Sequence, residues 1–341
     1  MQRIRRLFFA VILVLSGLQA KTITDMLERT VEIPSKPQRV YAPAPYGSYA
    51  LYAMDPSLLV GWIFSIKEEY LPYLHKRLET LPTIGRVFGA GQSANLEVLL
   101  SHHPDLILMW SHQNEFTQKE EERLKLLNTP VIYAKEESIL EYPSVFRFLG
   151  KALDRQERGD ALATYAENVF EKIKTTVAAT DPSKRPKVYY AEGLDGLATE
   201  CDDSIHVELL KIVGDVNVHR CHTSSHKGLE KLSMETLLQY DPDVIFVQEK
   251  MFFDEIYQRP LWNNLKAVKK RQVYLVPRIP FNWFDRPPSF MRLLGIQWVM
   301  AHLYPDRYEI DIAEETQTFY KIFLGVALSK QQLKTIFTGE I

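Results

Sequence analysis

This chain of 341 residues contains several short apolar segments that are separated by helical patterns. Aromatic, arginine and acidic side chains follow directly after many of these apolar segments. An aromatic face binds a flat or bulky organic group, and an arginine pairs with carboxylate or catecholate oxygens. At the carboxyl ends of parallel strands, where ligands bind in open sheets, such side chains would lie together. We interpret Asp285 and Arg286 as a local ion pair that holds their loop. The candidate binding residues are Tyr46, Trp62, Arg86, Trp110, Glu192, Arg278, Trp283 and Phe284.

Three histidines are candidate metal ligands. His112 follows a buried apolar segment, and His222 and His226 flank a short Thr-Ser-Ser sequence. A neutral imidazole can complete the coordination of nickel or iron when a small chelator leaves a position open. A bare metal ion usually needs three or four converging ligands, and His112 is the one histidine that is well placed, so the sequence does not favour a bare ion. The histidines that we interpret as structural or surface residues are His102, His103, His206 and His219.

A sixteen-residue pattern occurs twice, at residues 95–110 and 233–248, with six identical positions. Each copy has a glutamate, a Leu-Leu pair, a Pro-Asp pair and an isoleucine in the same order. The pattern is typical of a short helix, a tight turn and a buried strand. The duplication therefore predicts two lobes of similar build with a cleft between them.

Strands alternate with helices around both copies, an order that predicts parallel sheets covered by helices. A helical pattern over residues 155–178 lies between the two halves, and no Gly/Ser-rich linker follows it. We predict an α/β fold of two lobes, each with a mainly parallel sheet flanked by helices, joined by one long rigid helix. The predicted boundaries are 1–20 for a signal peptide, 21–143 for the N-terminal lobe, 144–182 for the connecting helices and 183–341 for the C-terminal lobe with its terminal helices.

The N-terminus has the order of a secretory signal, with Arg3, Arg5 and Arg6, an apolar run over residues 7–15, and then small residues. The run is shorter than the roughly 20 residues that cross a bilayer, and a retained membrane anchor is the alternative. A formal net charge of −2 and the lack of a basic block after the signal argue against nucleic-acid binding. We expect an exported protein that starts near Lys21.

The chain contains two cysteines, Cys201 and Cys221. In an oxidising compartment, two cysteines this close in sequence are expected to form a disulfide that closes a loop in the second lobe. A thiolate metal site is the alternative, which is disfavoured because export exposes free thiols to oxidation.

These features together resemble the periplasmic solute-binding proteins of ABC importers for metal chelates, in the subgroup that handles siderophores, haem and cobalamin. The resemblance rests on the two repeat units, the helix between them, and the segment from Phe284 to Gly295. Residues 188–197 and 217–221 are most similar to the enterochelin-uptake type of iron- or nickel-chelate binding protein. The resemblance covers essentially the whole exported chain and implies the class III fold of periplasmic binding proteins.

In that family each lobe presents one glutamate to arginines of the membrane permease, and the resemblance places these at Glu97 and Glu235. Equivalent carboxylates on two similar lobes would suit a two-fold permease, whereas the alternative is a solvated glutamate near a helix N-terminus. The implied function is capture of a nickel or iron chelate in the periplasm by a monomer without a catalytic cofactor. The implied partner is an ABC permease at the inner membrane.

Two alternatives stay open on sequence alone. Haem, cobalamin or molybdate would be a different cargo for the same fold. A secreted two-lobed metalloenzyme is the alternative of another class, but the sequence has no His-Glu-x-x-His, no Gly-x-Ser-x-Gly and no phosphate-binding glycine loop. We therefore predict a binding protein and not an enzyme.

Overall fold

The computed structural model describes residues 19–85, 96–110, 115–222 and 229–340. The strands in these ranges are β1 (Ala20–Thr24), β2 (Thr30–Pro34), β3 (Val40–Tyr41), β4 (Leu106–Trp110), β5 (Val131–Ala134), β6 (Val188–Ala191), β7 (Ala198–Glu200), β8 (Leu229–Lys231), β9 (Val244–Val247) and β10 (Val273–Leu275). The α-helices there are α1 (Pro45–Met54), α2 (Leu96–Ser101), α3 (Glu115–Lys125), α4 (Tyr142–Leu153), α5 (Gln156–Ala178), α6 (Glu208–Ile212), α7 (Met234–Tyr240), α8 (Lys250–Glu255), α9 (Lys266–Lys269), α10 (Arg292–Leu303), α11 (Ile312–Phe319) and α12 (Lys330–Thr338). None of these helices combines the length and the apolar character needed to cross a membrane.

Two three-stranded parallel sheets form the centres of the two lobes. In the first sheet β4 lies between β3 and β5, with Leu106 opposite Val40. In the second sheet β9 lies between β10 and β6, with Val244 opposite Val188. The repeated pattern thus supplies the central strand of each sheet. The predicted α/β fold with parallel sheets and flanking helices is confirmed.

The Pro-Asp turn of each repeat ties the central strand to its neighbour. The Asp105 carboxylate accepts hydrogen bonds from the amides of Gln38 and Arg39 at 2.8 and 3.0 Å. The Asp243 carboxylate accepts one from the Lys187 amide at 2.9 Å. Both turns also share a left-handed backbone angle, φ of 42°, one residue before the proline. Each aspartate therefore satisfies amides that lead into the adjacent strand, which explains why both copies contain it.

Alternate residues of the central strands face different cores. Leu108 and Phe246 belong to the largest buried cluster, which is continuous across both lobes. Ile107 and Ile245 face the opposite sides of their sheets, where each lobe has a smaller buried cluster of its own. This alternation follows from the period of two in an extended strand. The lobes therefore share one core between the inner faces of their sheets.

Helices α4 and α5 connect the first sheet to the second, and α5 has 23 residues, from Gln156 to Ala178. Its bounds agree within one residue with the helical pattern of the sequence. Leu162 is among the buried residues of its apolar face. The two helices approach closely at Gly150 and Gly159, where a Cβ on Gly159 would lie 2.5 Å from the Phe146 carbonyl oxygen. Any larger residue at Gly159 would push the helices apart.

The C-terminal helices return to the first lobe. The Tyr52 hydroxyl of α1 donates a hydrogen bond to the Leu324 carbonyl at 2.8 Å. The Gln332 amide of α12 donates one to the Pro72 carbonyl at 2.9 Å. The Phe337 ring of α12 also packs against Trp283 of the second lobe, so the terminal segment contacts both lobes.

Cys201 and Cys221 are joined by a disulfide, with their Cα atoms 5.0 Å apart. The bond closes the segment that begins directly after β7 and contains α6. Cys201 is fully buried. The cross-link therefore lies inside the second lobe, one residue beyond the end of a strand.

Candidate ligand-binding cleft

A cavity of about 320 Å³ lies between the two lobes. The first lobe contributes Tyr49 and Phe64 to its lining, and the second contributes Arg278, Phe281 and Arg286. The ring centroids of Tyr49 and Phe281 are 4.4 Å apart, so the lobes are in aromatic contact here. Arg278 and Phe281 follow the carboxyl end of β10, the edge at which parallel sheets bind ligands.

Cations from both lobes line this cavity: Lys67, Arg278 and Arg286. Lys67 is 65% exposed and lies 3.2 Å from Glu69, which is also exposed. Arg278 is 36% exposed and lies 4.0 Å from Glu249. Ion pairs this exposed are weak, so an anionic ligand can compete for both cations.

Arg286 is held by three buried carboxylates. Its guanidinium nitrogens lie 2.6 Å from Glu192 Oε1, 2.7 Å from Glu200 Oε1 and 3.2 Å from Asp285 Oδ2. The Glu200 and Asp285 side chains are fully enclosed, whereas Arg286 is 37% exposed. Buried charges need such pairing. The cluster therefore fixes the guanidinium at the wall of the cavity.

One carboxyl of this cluster has a raised pKa. Burial raises the pKa of Glu192 to about 8, against the lowering effect of Arg286, while Asp285 and Glu200 raise it further. Protonation of Glu192 reduces the excess of negative charge around Arg286. The guanidinium is therefore left with more attraction for an anion in the cavity.

Asp285 connects the cluster to a buried network. Its Oδ1 accepts a hydrogen bond from the Tyr190 hydroxyl at 2.7 Å, and the Phe284 ring stacks on Tyr190 with centroids 4.5 Å apart. Its Oδ2 lies 3.0 Å from His206 Nδ1, which is within ion-pair distance but without hydrogen-bond geometry. The distance supports an electrostatic contact, and a small rotation of the imidazole would convert it into a hydrogen bond.

Glu136 of the first lobe lies within electrostatic range of the buried Arg292 of α10. Burial raises the pKa of Glu136 to about 8, while Arg292 and a hydrogen bond from Trp110 lower it. Arg292 is 1% exposed and forms an ion pair with Glu208. Among the described residues, Nε and Nη1 of Arg292 and Oε2 of Glu136 have no hydrogen-bond partner. Buried polar atoms of this kind usually contact a ligand, an ion or ordered water.

Two of the candidate binding residues lie at this cavity, and two others lie near Glu136. Arg278 lines the cavity, and Glu192 holds the arginine next to it. Trp110 donates to Glu136. Tyr46 is mostly buried, which raises the pKa of its hydroxyl, and the charge of Glu136 raises it further. These residues come from both lobes, and their role in ligand binding stays a prediction.

Three predicted aromatic contacts are buried instead. Trp62 is 1% exposed and packs against Phe281, while Trp283 and Phe284 are wholly enclosed. A Cβ on Gly295 would lie 1.8 Å from the Trp283 carbonyl oxygen, so this loop packs directly on α10. The three rings therefore support the cleft from inside the core, and the structure does not place them on its surface.

None of the three candidate metal ligands is found in the lining of the cavity within the described residues. His112 and His226, together with the candidate Arg86, lie outside the described residues. The His222 side chain is fully exposed, 3.3 Å from Asp203 on the disulfide loop, and it is not part of the cavity lining.

Glu97 and Glu235 occupy equivalent surface positions. Each lies exposed on the first turn of its helix, α2 or α7. Leu100 and Leu238, one helical turn further, are 45% and 36% exposed. Each lobe therefore presents a carboxylate and an exposed leucine with the same spacing.

Several polar residues of the cleft escaped sequence reasoning. Glu136 follows β5 by two residues, and the strand-end rule could have selected it. Asp285 and Arg286 do pair locally, but Arg286 also lines the cavity. Arg292 begins a helix, and His206 lies in a short turn, so neither carries a strand-end signal.

Comparison with known proteins is consistent with this architecture. A family model described as periplasmic binding protein matches residues 74–280. The chain is similar to the solved ABC transporter solute binding protein from Sulfurospirillum deleyianum, at 38% identity and a TM-score of 0.84, over 93% of this chain and 98% of that one.

Two relatives at lower identity have named ligands. The chain is 28% identical over 191 residues to the Fe(3+)-citrate-binding protein YfmC of Bacillus subtilis, which covers 54% of this chain and 58% of that protein. It is 22% identical over 336 residues to the molybdate-binding protein MolA of Haemophilus influenzae, which covers 90% and 92%. The first match thus spans less than two thirds of that relative.

Proposed function

Because this chain belongs to the periplasmic binding protein family, we propose that it captures an anionic chelate of nickel or iron for an ABC importer. Proteins of this family are periplasmic or extracellular solute-binding proteins and not enzymes. In this proposal the N-terminal signal directs export and is cleaved. The mature monomer then carries its cargo through the periplasm to the permease at the inner membrane.

The chemistry of the cavity between the lobes carries this proposal. Phe64 and Tyr70 offer partly exposed aromatic rings, and Lys67, Arg278 and Arg286 offer positive charge at the same cavity. Rings suit the flat organic part of a chelate, and guanidinium groups suit its carboxylate or catecholate oxygens. Because both lobes contribute, the affinity depends on their relative position.

The symmetric surface of Glu97 and Glu235 supports docking to a permease. Both carboxylates are exposed, so basic groups of a partner can reach them. The exposed Leu100 and Leu238 add apolar area beside each charge. Charges of this kind steer association, and the apolar area adds contact energy.

A free oxyanion such as molybdate is the second candidate cargo. The observation in its favour is Arg292, whose Nε and Nη1 are buried and without a partner in the described part of the chain. The neighbouring Glu136, with its pKa raised to about 8 by burial, would be protonated and able to donate to an oxyanion at neutral pH. A small anion would bind at this pair, whereas a chelate would fill the cavity lined by Arg278.

Titration calorimetry of the oxidised protein with ferric citrate, nickel–histidine complex and molybdate tests the proposal. We expect one of the two chelates to bind, and Arg278→Met to weaken that binding by about tenfold or more, because it removes a charge-assisted hydrogen bond. Arg123→Met is the matched control, since the Arg123 side chain on α3 is 48% exposed and is not part of the cavity lining.

Failure of both chelates to bind, or an unchanged affinity in Arg278→Met, would contradict chelate capture in this cavity. Binding of molybdate alone, with loss in Arg292→Met and none in Arg278→Met, would support the second candidate. The Arg123→Met control should match the wild type in every arm.

A further inference from the structure

A cluster of sulfur and imidazole ligands lies at the disulfide, apart from the cavity lining. The ligand atoms of Cys201, His219 and Cys221 are all within 4.8 Å of one another. His219 Nε2 lies 3.0 Å from Cys221 Sγ. Tetrahedral zinc with Zn–S bonds of about 2.3 Å separates its sulfur ligands by roughly 3.8 Å. The cluster is therefore close to the size of a metal site once the sulfurs are no longer bonded to each other.

The imidazole of His219 is oriented with one ring nitrogen toward the sulfur atoms. Its Nδ1 lies 3.2 Å from the Tyr240 hydroxyl, and this contact directs Nε2 toward the sulfurs. Histidine ligands of metals typically have such a partner on the other ring nitrogen.

A carboxylate lies beside the same group. Asp202 Oδ1 accepts a hydrogen bond from the Cys221 amide at 2.9 Å, and its Oδ2 pairs with Arg220 at 3.1 Å. Asp202 is therefore a partner of the loop backbone, and the three ligand atoms that cluster are those of Cys201, His219 and Cys221. Water can fill the fourth coordination position of a zinc site.

We propose that, when the disulfide is reduced, the protein binds one thiophilic divalent cation such as Zn²⁺ through Cys201, His219 and Cys221. A dithiol reductant breaks the S–S bond by giving two electrons and two protons to the cysteines, and becomes a disulfide itself. The cation then displaces the two thiol protons and binds both thiolates. Either the disulfide or the bound cation links Cys201 to Cys221, and each of them closes the same loop.

Closure of this loop also matters for the cleft. Glu200 precedes Cys201 directly and holds Arg286 at 2.7 Å. A reduced protein without metal would lose the cross-link next to this contact. Metal binding would restore a constraint at the same place, because the three ligands span both ends of the loop.

Cobalt(II) binding to the reduced protein tests the proposal. The full chain is reduced with a phosphine, which takes an oxygen from water as it becomes the phosphine oxide, and the reagent is removed without air. We expect one Co²⁺ per chain, with thiolate-to-cobalt charge-transfer absorption and the visible bands of a tetrahedral site. The oxidised protein should show neither signal, because its sulfurs are bonded to each other.

Variants separate this site from other metal-binding groups. His219→Ala keeps the disulfide during folding, and after reduction it should bind Co²⁺ at least tenfold more weakly. Tyr240→Phe should weaken binding on the order of tenfold, as loss of a metal-ligand partner does. His103→Ala, an exposed histidine elsewhere, is the control and should bind like the wild type.

A stability measurement completes the test. Zn²⁺ should raise the thermal transition of the reduced wild type and leave that of reduced His219→Ala unchanged. The proposal is overturned if the reduced wild type gives no charge-transfer absorption. It is equally overturned if His219→Ala binds Co²⁺ as tightly as the wild type.

Discussion

The two lobes are alike at the amino ends of their sheets and unlike at the carboxyl ends. At the amino ends, Asp105 and Asp243 bind the amides of adjacent strands in the same way. At the carboxyl ends, the first lobe offers Tyr49, Phe64 and one lysine, Lys67, whereas the second offers Phe281 and two arginines, Arg278 and Arg286. The duplicated features hold the fold, and the features that differ between the lobes form the cleft.

The difference has a physical origin. A strand amide needs the same acceptor in either lobe, so a duplicated unit can keep its aspartate. A cavity between two lobes surrounds one asymmetric ligand, so each side needs its own chemistry. Changes at the two ends should therefore separate stability from binding.

The largest effect is expected for Arg286→Met. The substitution leaves Glu200 and Asp285 as buried carboxylates without their guanidinium partner, so the free energy of unfolding should fall by about 3 kcal/mol. Urea denaturation at pH 7 measures this, and calorimetry should show loss of chelate binding. Arg286→Lys keeps the charge and should lose less. If Arg286→Met unfolds at the same urea concentration as wild type, the ion pairs of Arg286 with Glu200 and Asp285 do not stabilise the second lobe.

The stability of wild type should depend on pH through the cleft carboxyls. The Glu136 carboxyl titrates near 4.5 when unfolded, but burial raises its folded pKa to about 8. The folded state thus binds more protons between these values, and stability falls as pH rises through this range, by at most about 1.4 kcal/mol per pH unit. Denaturation curves of Glu136→Gln from pH 5 to 8.5 should show a shallower fall. If the free energy of unfolding falls equally steeply with pH in wild type and in Glu136→Gln, Glu136 is not the source of the pH dependence.

Asp105→Ala and Asp243→Ala should each lower the free energy of unfolding by about 1 kcal/mol, because the amides that lead into the adjacent strands lose a hydrogen bond but can still reach water. The affinity for cargo should be unchanged in both variants. Thermal or urea denaturation with parallel calorimetry measures the two properties. A large effect of either substitution on binding would break the division between the two ends of the sheets.

The smallest effect on stability is expected for Glu97→Ala combined with Glu235→Ala. Both side chains are exposed, so the free energy of unfolding should change by no more than about 0.5 kcal/mol. Transport in vesicles containing the permease should fall, since both docking charges are removed. Glu32→Ala, an exposed glutamate on β2, is the control. Normal transport by the double variant would refute docking through these residues.

The central strands and their turns could be predicted from the sequence because a local pattern determines them. A helix, a Pro-Asp turn and an apolar run of the right length occur in both copies, and the structure places each run at the centre of a sheet. The same strand-end reasoning found Arg278 and Glu192. Each of these residues follows its strand within a few positions, so little tertiary information was needed.

Burial of the loop after β10 could not be predicted in this way. Trp283 looks like a cleft residue by sequence position, yet its backbone packs on Gly295 and its ring lies beside Phe337. Those partners come from α10 and α12, which the strand-end rule does not consider. Arg292 escaped for the same reason, because its position depends on how α10 packs between the lobes.

The position of the metal in the cargo complex tests the central claim most directly. Crystals of the oxidised protein loaded with the chelate selected by calorimetry would give an anomalous-scattering map at the metal absorption edge. The account predicts one peak in the cavity between Tyr49 of the first lobe and Arg278 of the second. A peak elsewhere, on the surface of a single lobe, would contradict recognition by two unlike sheet ends.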